Sequence, residues 1–132
     1  MQYHSNDYSV SIEEFKRMFG VAAAGAAQLL IVSPGPIKNL ETQFSRAFGA
    51  EEWKLLLRDR KILLPNGSPT VYLEATGTTQ KFTGGNVYLP YAGMHTIDEY
   101  VGDRRSVNTF FLPQSQNDLS QYKKKYPNSI AV

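Results

Sequence analysis

The sequence predicts an α+β fold in which N-terminal helices pack on a small antiparallel sheet of about four to five strands, with a short helix near the C terminus. Apolar residues recur at helical spacing within residues 11–58, short β-prone runs separated by turn residues occupy residues 61–112, and helical spacing returns in residues 117–126. Because the helices precede the strands, the pattern does not favour a parallel sheet of alternating strands and helices. The 132 residues are expected to form one domain, with a flexible arm or an edge strand over residues 1–10.

The longest apolar segment covers residues 18–32, MFGVAAAGAAQLLIV, and ends at a Ser-Pro-Gly-Pro sequence. Upstream of it, Ser11 and Glu14 match a capping box, in which the serine hydroxyl accepts a hydrogen bond from the backbone N–H three residues later. Apolar residues then follow at three- and four-residue steps. Together these features predict a helix over residues 11–30.

The apolar segment is too short to cross a membrane, since a spanning helix needs roughly 20 apolar residues. The residues before it carry acidic as well as basic side chains, so they lack the positive charge that begins a signal peptide. We therefore interpret the segment as a buried helix whose small residues allow another backbone to approach closely, either in the same chain or in a second copy. The residues of this close-contact face are Gly20, Ala24 and Gly25.

The other elements follow from the same two periodicities and from turn residues. The predicted helices cover residues 40–48, 50–57 and 117–126, with a single helical turn over residues 96–100. The predicted strands cover residues 61–64, 70–75, 78–82, 87–89 and 106–112. The Asn66-Gly67 pair between the first two strands is typical of a hairpin turn, so the strands are expected to form an antiparallel meander.

The composition excludes several kinds of site. The chain contains no cysteine, so it forms no disulfide, cysteine-based zinc site or thiol nucleophile. No two acidic residues have a spacing that would place both carboxylates on one helix or strand face inside a core, which argues against a glycosidase or a divalent-metal site. No metal and no cofactor are expected. A net charge of +2 and an isoelectric point near 8.8 are mildly basic, well short of a dedicated nucleic-acid binder.

The densest group of reactive side chains centres on His95 and the Arg104-Arg105 pair; its other members are Tyr91, Asp98 and Asp103. Histidine suits acid–base catalysis at neutral pH, and adjacent arginines can hold a phosphate through paired hydrogen bonds. These residue types are sufficient for a small metal-independent ribonuclease-like toxin, which is the alternative function of this chain. A surface histidine beside a charged turn explains the same residues without catalysis.

A second alternative is a nucleic-acid-binding accessory factor. Three consecutive lysines lie between two tyrosines near the C terminus, and lysines beside aromatic rings are typical of contact with single strands. Lysines are also favoured at the C-terminal end of a helix, so a solvated helix end explains the same sequence. The candidate contact residues are Tyr122, Lys123, Lys124, Lys125 and Tyr126.

The leading hypothesis is a non-enzymatic interaction or assembly protein that associates with itself. It depends on the Gly/Ala-rich apolar segment, on the absence of a catalytic motif, and on the Gly-containing strand connections with their tyrosines. The polar residue usage suggests a structural or accessory component of a virus or phage, located in the cytoplasm or the virion. The expected partner is a protein or a second copy of the chain, and nucleic acid is the alternative partner.

Overall fold

A computed structural model describes residues 1–64, 69–75 and 81–132. The helices are α1 (Ile12–Ala23), α2 (Glu41–Phe48), α3 (Ala50–Asp59), α4 (Met94–Val101) and α5 (Gln116–Lys125), with a 3-10 turn over Ile37–Leu40. The strands are β1 (Gln2–His4), β2 (Gln28–Val32), β3 (Lys61–Leu63), β4 (Thr70–Glu74), β5 (Gly85–Pro90), β6 (Ser106–Leu112) and β7 (Ile130–Ala131). They form one seven-stranded sheet in the order β3-β4-β2-β5-β6-β1-β7.

The sheet is mostly parallel, so the predicted α+β class is wrong and the fold is α/β. β2 pairs in parallel with β4 and β5, β6 pairs in parallel with β5 and β1, and β1 pairs in parallel with β7. The antiparallel pair is β3 with β4. The predicted antiparallel meander is therefore wrong beyond this first pair. The predicted turn at Asn66-Gly67 and most of the predicted strand over residues 78–82 lie outside the described residues.

The apolar segment over residues 18–32 is not one helix, which corrects the prediction of a helix over residues 11–30. The Ser11 hydroxyl does accept a hydrogen bond from the Glu14 N–H at 3.1 Å, and α1 starts at Ile12. The helix then ends at Ala23, Gly25 turns the chain with a φ of +71°, and the following residues form β2 in the middle of the sheet. Helices cover both faces there, so the strand is apolar from Leu29 to Val32, and periodicity alone cannot distinguish it from a buried helix.

Two apolar cores lie on opposite faces of the sheet. On the α1–α3 face, side chains from β2, β4 and β5 pack against the first three helices; the aromatic members include Phe15, Phe44, Trp53 and Tyr88. On the α4–α5 face, alternate residues of the same strands pack against α4 and α5 together with Phe82, Phe111 and Tyr122. Because successive side chains of a strand point to opposite faces, each central strand supplies both cores.

At the β3–β4 end of the sheet, no element among the described residues covers the α4–α5 face. Ile62 packs in the α1–α3 core, so its neighbours Lys61 and Leu63 point to the opposite face, beside Tyr72 and Thr70 of β4. Leu63 is 64% exposed, and none of the described elements covers it. Within the described part of the chain, no helix has the length and apolarity needed to cross a membrane.

Candidate functional site

In open α/β sheets, ligands commonly bind where neighbouring strands send their following loops to opposite faces. Here β2 leads to α2 on one face and adjacent β5 leads to α4 on the other. At this point the Ser33 hydroxyl donates to the carbonyl of Pro36 at 2.8 Å, so it is engaged within its own loop. The Tyr91 hydroxyl is buried with no hydrogen-bond partner among the described residues. Burial, followed by the charge of Glu14, raises the pKa of Tyr91 to about 12.

The structure does not bring the residues of the ribonuclease hypothesis together. His95 lies exposed in the first turn of α4, whereas Arg104 and Arg105 follow the other end of that helix. An eight-residue helix is about 12 Å long. Arg104 is exposed, and the guanidinium of Arg105 is fully engaged in contacts within the chain. No observation therefore favours a shared phosphate site of these residues with His95.

Arg105 forms the centre of a buried polar network. Its NH1 and NH2 groups donate to Glu74 at 2.7 and 3.2 Å, and NH2 and Nε donate to Asp103 at 2.8 and 3.1 Å. Tyr100 donates its hydroxyl to the Glu74 carboxylate at 2.7 Å, and the guanidinium lies 5.4 Å from the ring centre of Phe82. Hydrogen bonding to Arg105 lowers the pKa of Asp103, and burial followed by the bond to Glu74 raises the pKa of Tyr100. This network joins α4 and β4 structurally.

The two tyrosines of the C-terminal lysine run are used inside the fold. Tyr122 is 1% exposed; its ring packs on Phe111, and its hydroxyl shares a 2.8 Å hydrogen bond with Ser129. Tyr126 and Lys125 both donate to the carboxylate of Asp98, which lowers the pKa of that carboxyl, through Lys125 first. Lys123 and Lys124 remain on the exposed face of α5. The predicted nucleic-acid candidates thus provide exposed charge at Lys123 and Lys124, whereas Tyr122 is buried and Tyr126 is half-buried against it.

The predicted close-contact face of Gly20, Ala24 and Gly25 is exposed. A Cβ atom placed on Gly20 or Gly25 would have no described atom within 4 Å. These small residues therefore do not pack against the sheet, and Gly25 serves the turn that ends α1. Whether a second copy contacts them stays a prediction.

A groove at the β3–β4 end of the sheet is a candidate site within the described part of the chain. This β3–β4 groove lies between the C-terminal half of α3, the edge strand β3 and the open face of β4. Its lining residues are Leu55, Asp59, Lys61, Ile62, Leu63, Thr70, Tyr72 and Lys81. Lys81 is held there because its ammonium donates to the carbonyl of Asp59 at 2.8 Å, at the C-terminal end of α3.

The electrostatics of the groove are dominated by positive charge. Arg58 and Asp59 form a two-point ion pair at 2.9 Å, which lowers the pKa of the Asp59 carboxyl. No described carboxylate forms an ion pair with Arg60, Lys61 or Lys81. Sequence reasoning did not identify this groove, because the basic residues of 58–61 have the appearance of an ordinary helix end and Lys81 lies far along the chain.

One feature of the sequence could have indicated the edge. Ile62 and Leu63 are consecutive apolar residues of β3, the strand that also carries Lys61, and a third apolar residue, Leu64, follows the strand. A strand with one solvated face should alternate, so an additional apolar side chain on the polar face suggests a contact surface.

The chain shows no match to known families. Models of protein families, curated proteins and solved structures were all compared with it, and none of the three comparisons finds a match. Among residues 1–64, 69–75 and 81–132, no three histidine, aspartate or glutamate side chains are grouped so that they could hold a metal ion. The β3–β4 groove is therefore the starting point for inference about function.

Proposed function

We propose that this chain is a non-enzymatic interaction and assembly protein that associates with a second copy through the edge strand β3. The observation that carries the proposal is the exposure of Leu63, at 64%, on a strand that pairs with β4 on one side and with no described strand on the other. An unpaired strand edge offers backbone hydrogen bonds, and an exposed apolar side chain beside it offers burial.

The hydrogen-bond pattern of β3 supports edge pairing. The N–H of Leu73 donates to the carbonyl of Arg60 at 3.0 Å, and Ile62 lies opposite Val71. Hydrogen-bonded and non-hydrogen-bonded pairs alternate in an antiparallel ladder, so Ile62 uses its backbone groups toward β4. The N–H and C=O groups of Lys61 and Leu63 consequently point to the open edge.

Two copies can pair about a two-fold axis centred on Ile62. Antiparallel pairing in this register places Lys61 of each copy opposite Leu63 of the other, and each such pair exchanges both of its backbone hydrogen bonds. The two lysines are thereby kept from lying directly opposite each other, which would be destabilising. A two-fold contact of identical surfaces closes on itself, so it yields a dimer with one continuous sheet.

Further burial comes from Leu55, which is 40% exposed and lines the same groove. The strand has only three residues and includes a lysine, which are features that limit edge pairing. We therefore expect a reversible dimer whose population depends on concentration. A role as a structural or accessory component of a virus or phage stays a prediction.

The test compares two equally exposed apolar residues at different places on the sheet. Leu63 and Val107 are 64% and 63% exposed, and Val107 lies on β6 at a distance from the β3 edge. Light scattering after size exclusion, over a range of protein concentrations, should show dimer for the natural chain and for Val107→Glu but monomer for Leu63→Glu. A natural chain that stays monomeric at every concentration, or equal loss of dimer in both variants, would overturn the proposal.

A further inference from the structure

The charge of the molecule is concentrated at the β3–β4 end. The end of α3 and the groove carry four basic residues, Arg58, Arg60, Lys61 and Lys81, and one acidic residue, Asp59. This region thus has three excess positive charges, whereas the whole chain has a net charge of +2. The rest of the chain is therefore slightly negative, and the mild overall charge conceals a basic surface.

An aromatic ring lies within this basic surface. Tyr72 is half-buried in the groove, with its ring 5.9 Å from that of Phe82 in an edge-to-face arrangement. Leu63 and Thr70 lie beside it on the same open face, and Lys61 is its direct cross-strand neighbour. A ring next to lysines, on a sheet face that none of the described elements covers, combines a stacking surface for a base with cations for the neighbouring phosphates.

We propose that the β3–β4 groove binds single-stranded nucleic acid, with Lys61 and Lys81 on the phosphates and Tyr72 against a base. At the C-terminal lysines, by contrast, Tyr122 is buried, and Lys125 and Tyr126 are both bonded to Asp98. Contact through phosphates and through the face of a base does not depend on sequence, so little base preference is expected.

Binding of a nucleic-acid strand should also affect the proposed dimer, and this coupling rests on the proposed function. In the two-fold pairing centred on Ile62, the same face of each sheet continues into the other copy, so the two grooves become neighbours. The excess positive charges of both copies then repel across the axis. A bound strand neutralises them, and by linkage it tightens the dimer by the factor by which the dimer tightens binding of the strand.

The experiment measures fluorescence anisotropy of a labelled oligothymidylate of about 16 nucleotides, the upper end of typical single-strand site sizes. Two double variants remove the same charge at different places: Lys61→Gln with Lys81→Gln in the groove, and Lys123→Gln with Lys124→Gln on α5. The groove variant is expected to lose about tenfold or more in affinity, and the slope of log K against log salt should fall by about 1.4, near 0.7 per lost phosphate contact. The α5 variant should bind within about twofold of the natural chain.

A third variant tests the ring separately from the charge. Tyr72→Leu should weaken oligothymidylate binding about tenfold, as loss of a stacked base does, and leave binding of inorganic polyphosphate unchanged. Circular dichroism of each variant checks that the fold is intact. Equal loss of oligothymidylate and polyphosphate binding would contradict the role of Tyr72 as a stacking surface.

Several outcomes distinguish this inference from the proposed self-association. A larger loss in the α5 variant than in the groove variant, or no binding by the natural chain at low salt, overturns the groove as a nucleic-acid site while leaving dimer formation to its own test. Oligothymidylate that raises the dimer fraction in light scattering supports the coupling. Groove-dependent binding by a chain that stays monomeric supports the site and overturns the coupling.

Discussion

The ion pair between Arg105 and Glu74 allows a sharp test of what stabilises the α4–α5 face. The Glu74 side chain is 3% exposed and that of Arg105 27%, and the two meet through a forked contact at 2.7 and 3.2 Å. Arg105→Met keeps most of the length of the side chain and removes its charge. The Glu74 carboxylate then remains buried, with the Tyr100 hydroxyl still bonded to it.

Removal of one partner of a buried ion pair costs about 3–5 kcal/mol, because the remaining charge is left without compensation. Since Arg105 is partly exposed, we expect the lower end, about 3 kcal/mol, which is a large share of the 5–15 kcal/mol typical of a domain. The second variant, Arg105→Met with Glu74→Gln, removes the stranded charge. It should recover most of this loss and be destabilised by only about 1 kcal/mol.

Urea unfolding at constant pH measures both values, and an unchanged m-value confirms that the unfolding reaction is the same. For a chain of this length, Arg105→Met should also lower Tm by roughly 10 °C. Equal destabilisation of the single and double variants would refute the reasoning. The cost would then come from lost packing of the arginine on Phe82 and not from an uncompensated carboxylate.

Two further predictions concern other buried polar groups. Tyr91→Phe removes a buried hydroxyl that has no described partner, so thermal unfolding should show no loss of stability. Tyr100→Phe loses a hydrogen bond to a carboxylate and should cost roughly 1.5–3 kcal/mol. Equal losses in the two variants would contradict this reasoning. Burial, followed by the charge of Lys123, lowers the pKa of His4 below the usual 6.5. The folded state therefore favours the neutral ring. The stability that this preference contributes is fully present above pH 6.5 and is lost as the pH falls toward the lowered pKa. The urea midpoint should therefore fall more between pH 7 and pH 5 for the natural chain than for His4→Gln. Equal falls in the two proteins would count against this role of His4.

Local signals predicted several elements well. The Ser11 cap marks the start of α1, and the run SVNTFFL before a proline gives β6. The helix predicted over residues 117–126 corresponds to α5, which begins and ends one residue earlier. Each of these signals acts within a few residues: a hydroxyl that accepts a backbone N–H, a β-prone run, a proline that stops it. Such interactions are formed by neighbours in the chain, so a single sequence contains them.

The candidate site was harder to predict because its members come from separate parts of the chain. Lys81 reaches the groove through a bond to Asp59, 22 residues earlier, and Arg105 contacts Glu74 across 31 residues. In the sequence, Arg105 beside Arg104 has the pattern of a phosphate-binding arginine, yet in the fold it forms an ion pair with the buried carboxylate of Glu74. The sequence pattern identifies residue types, and only the three-dimensional neighbours decide their use.

By itself the sequence determined the start of α1, the extent of β6, the approximate position of α5, the absence of cysteine chemistry and the lack of a recognisable catalytic motif. The tertiary structure decided the fold class. Residues 28–32 became a strand because β4 and β5 lie beside them to complete their hydrogen bonds, and β1 formed because β6, more than one hundred residues later, pairs with it. Parallel pairing joins segments that are distant in the chain and buries both faces, so it leaves little local periodicity to read.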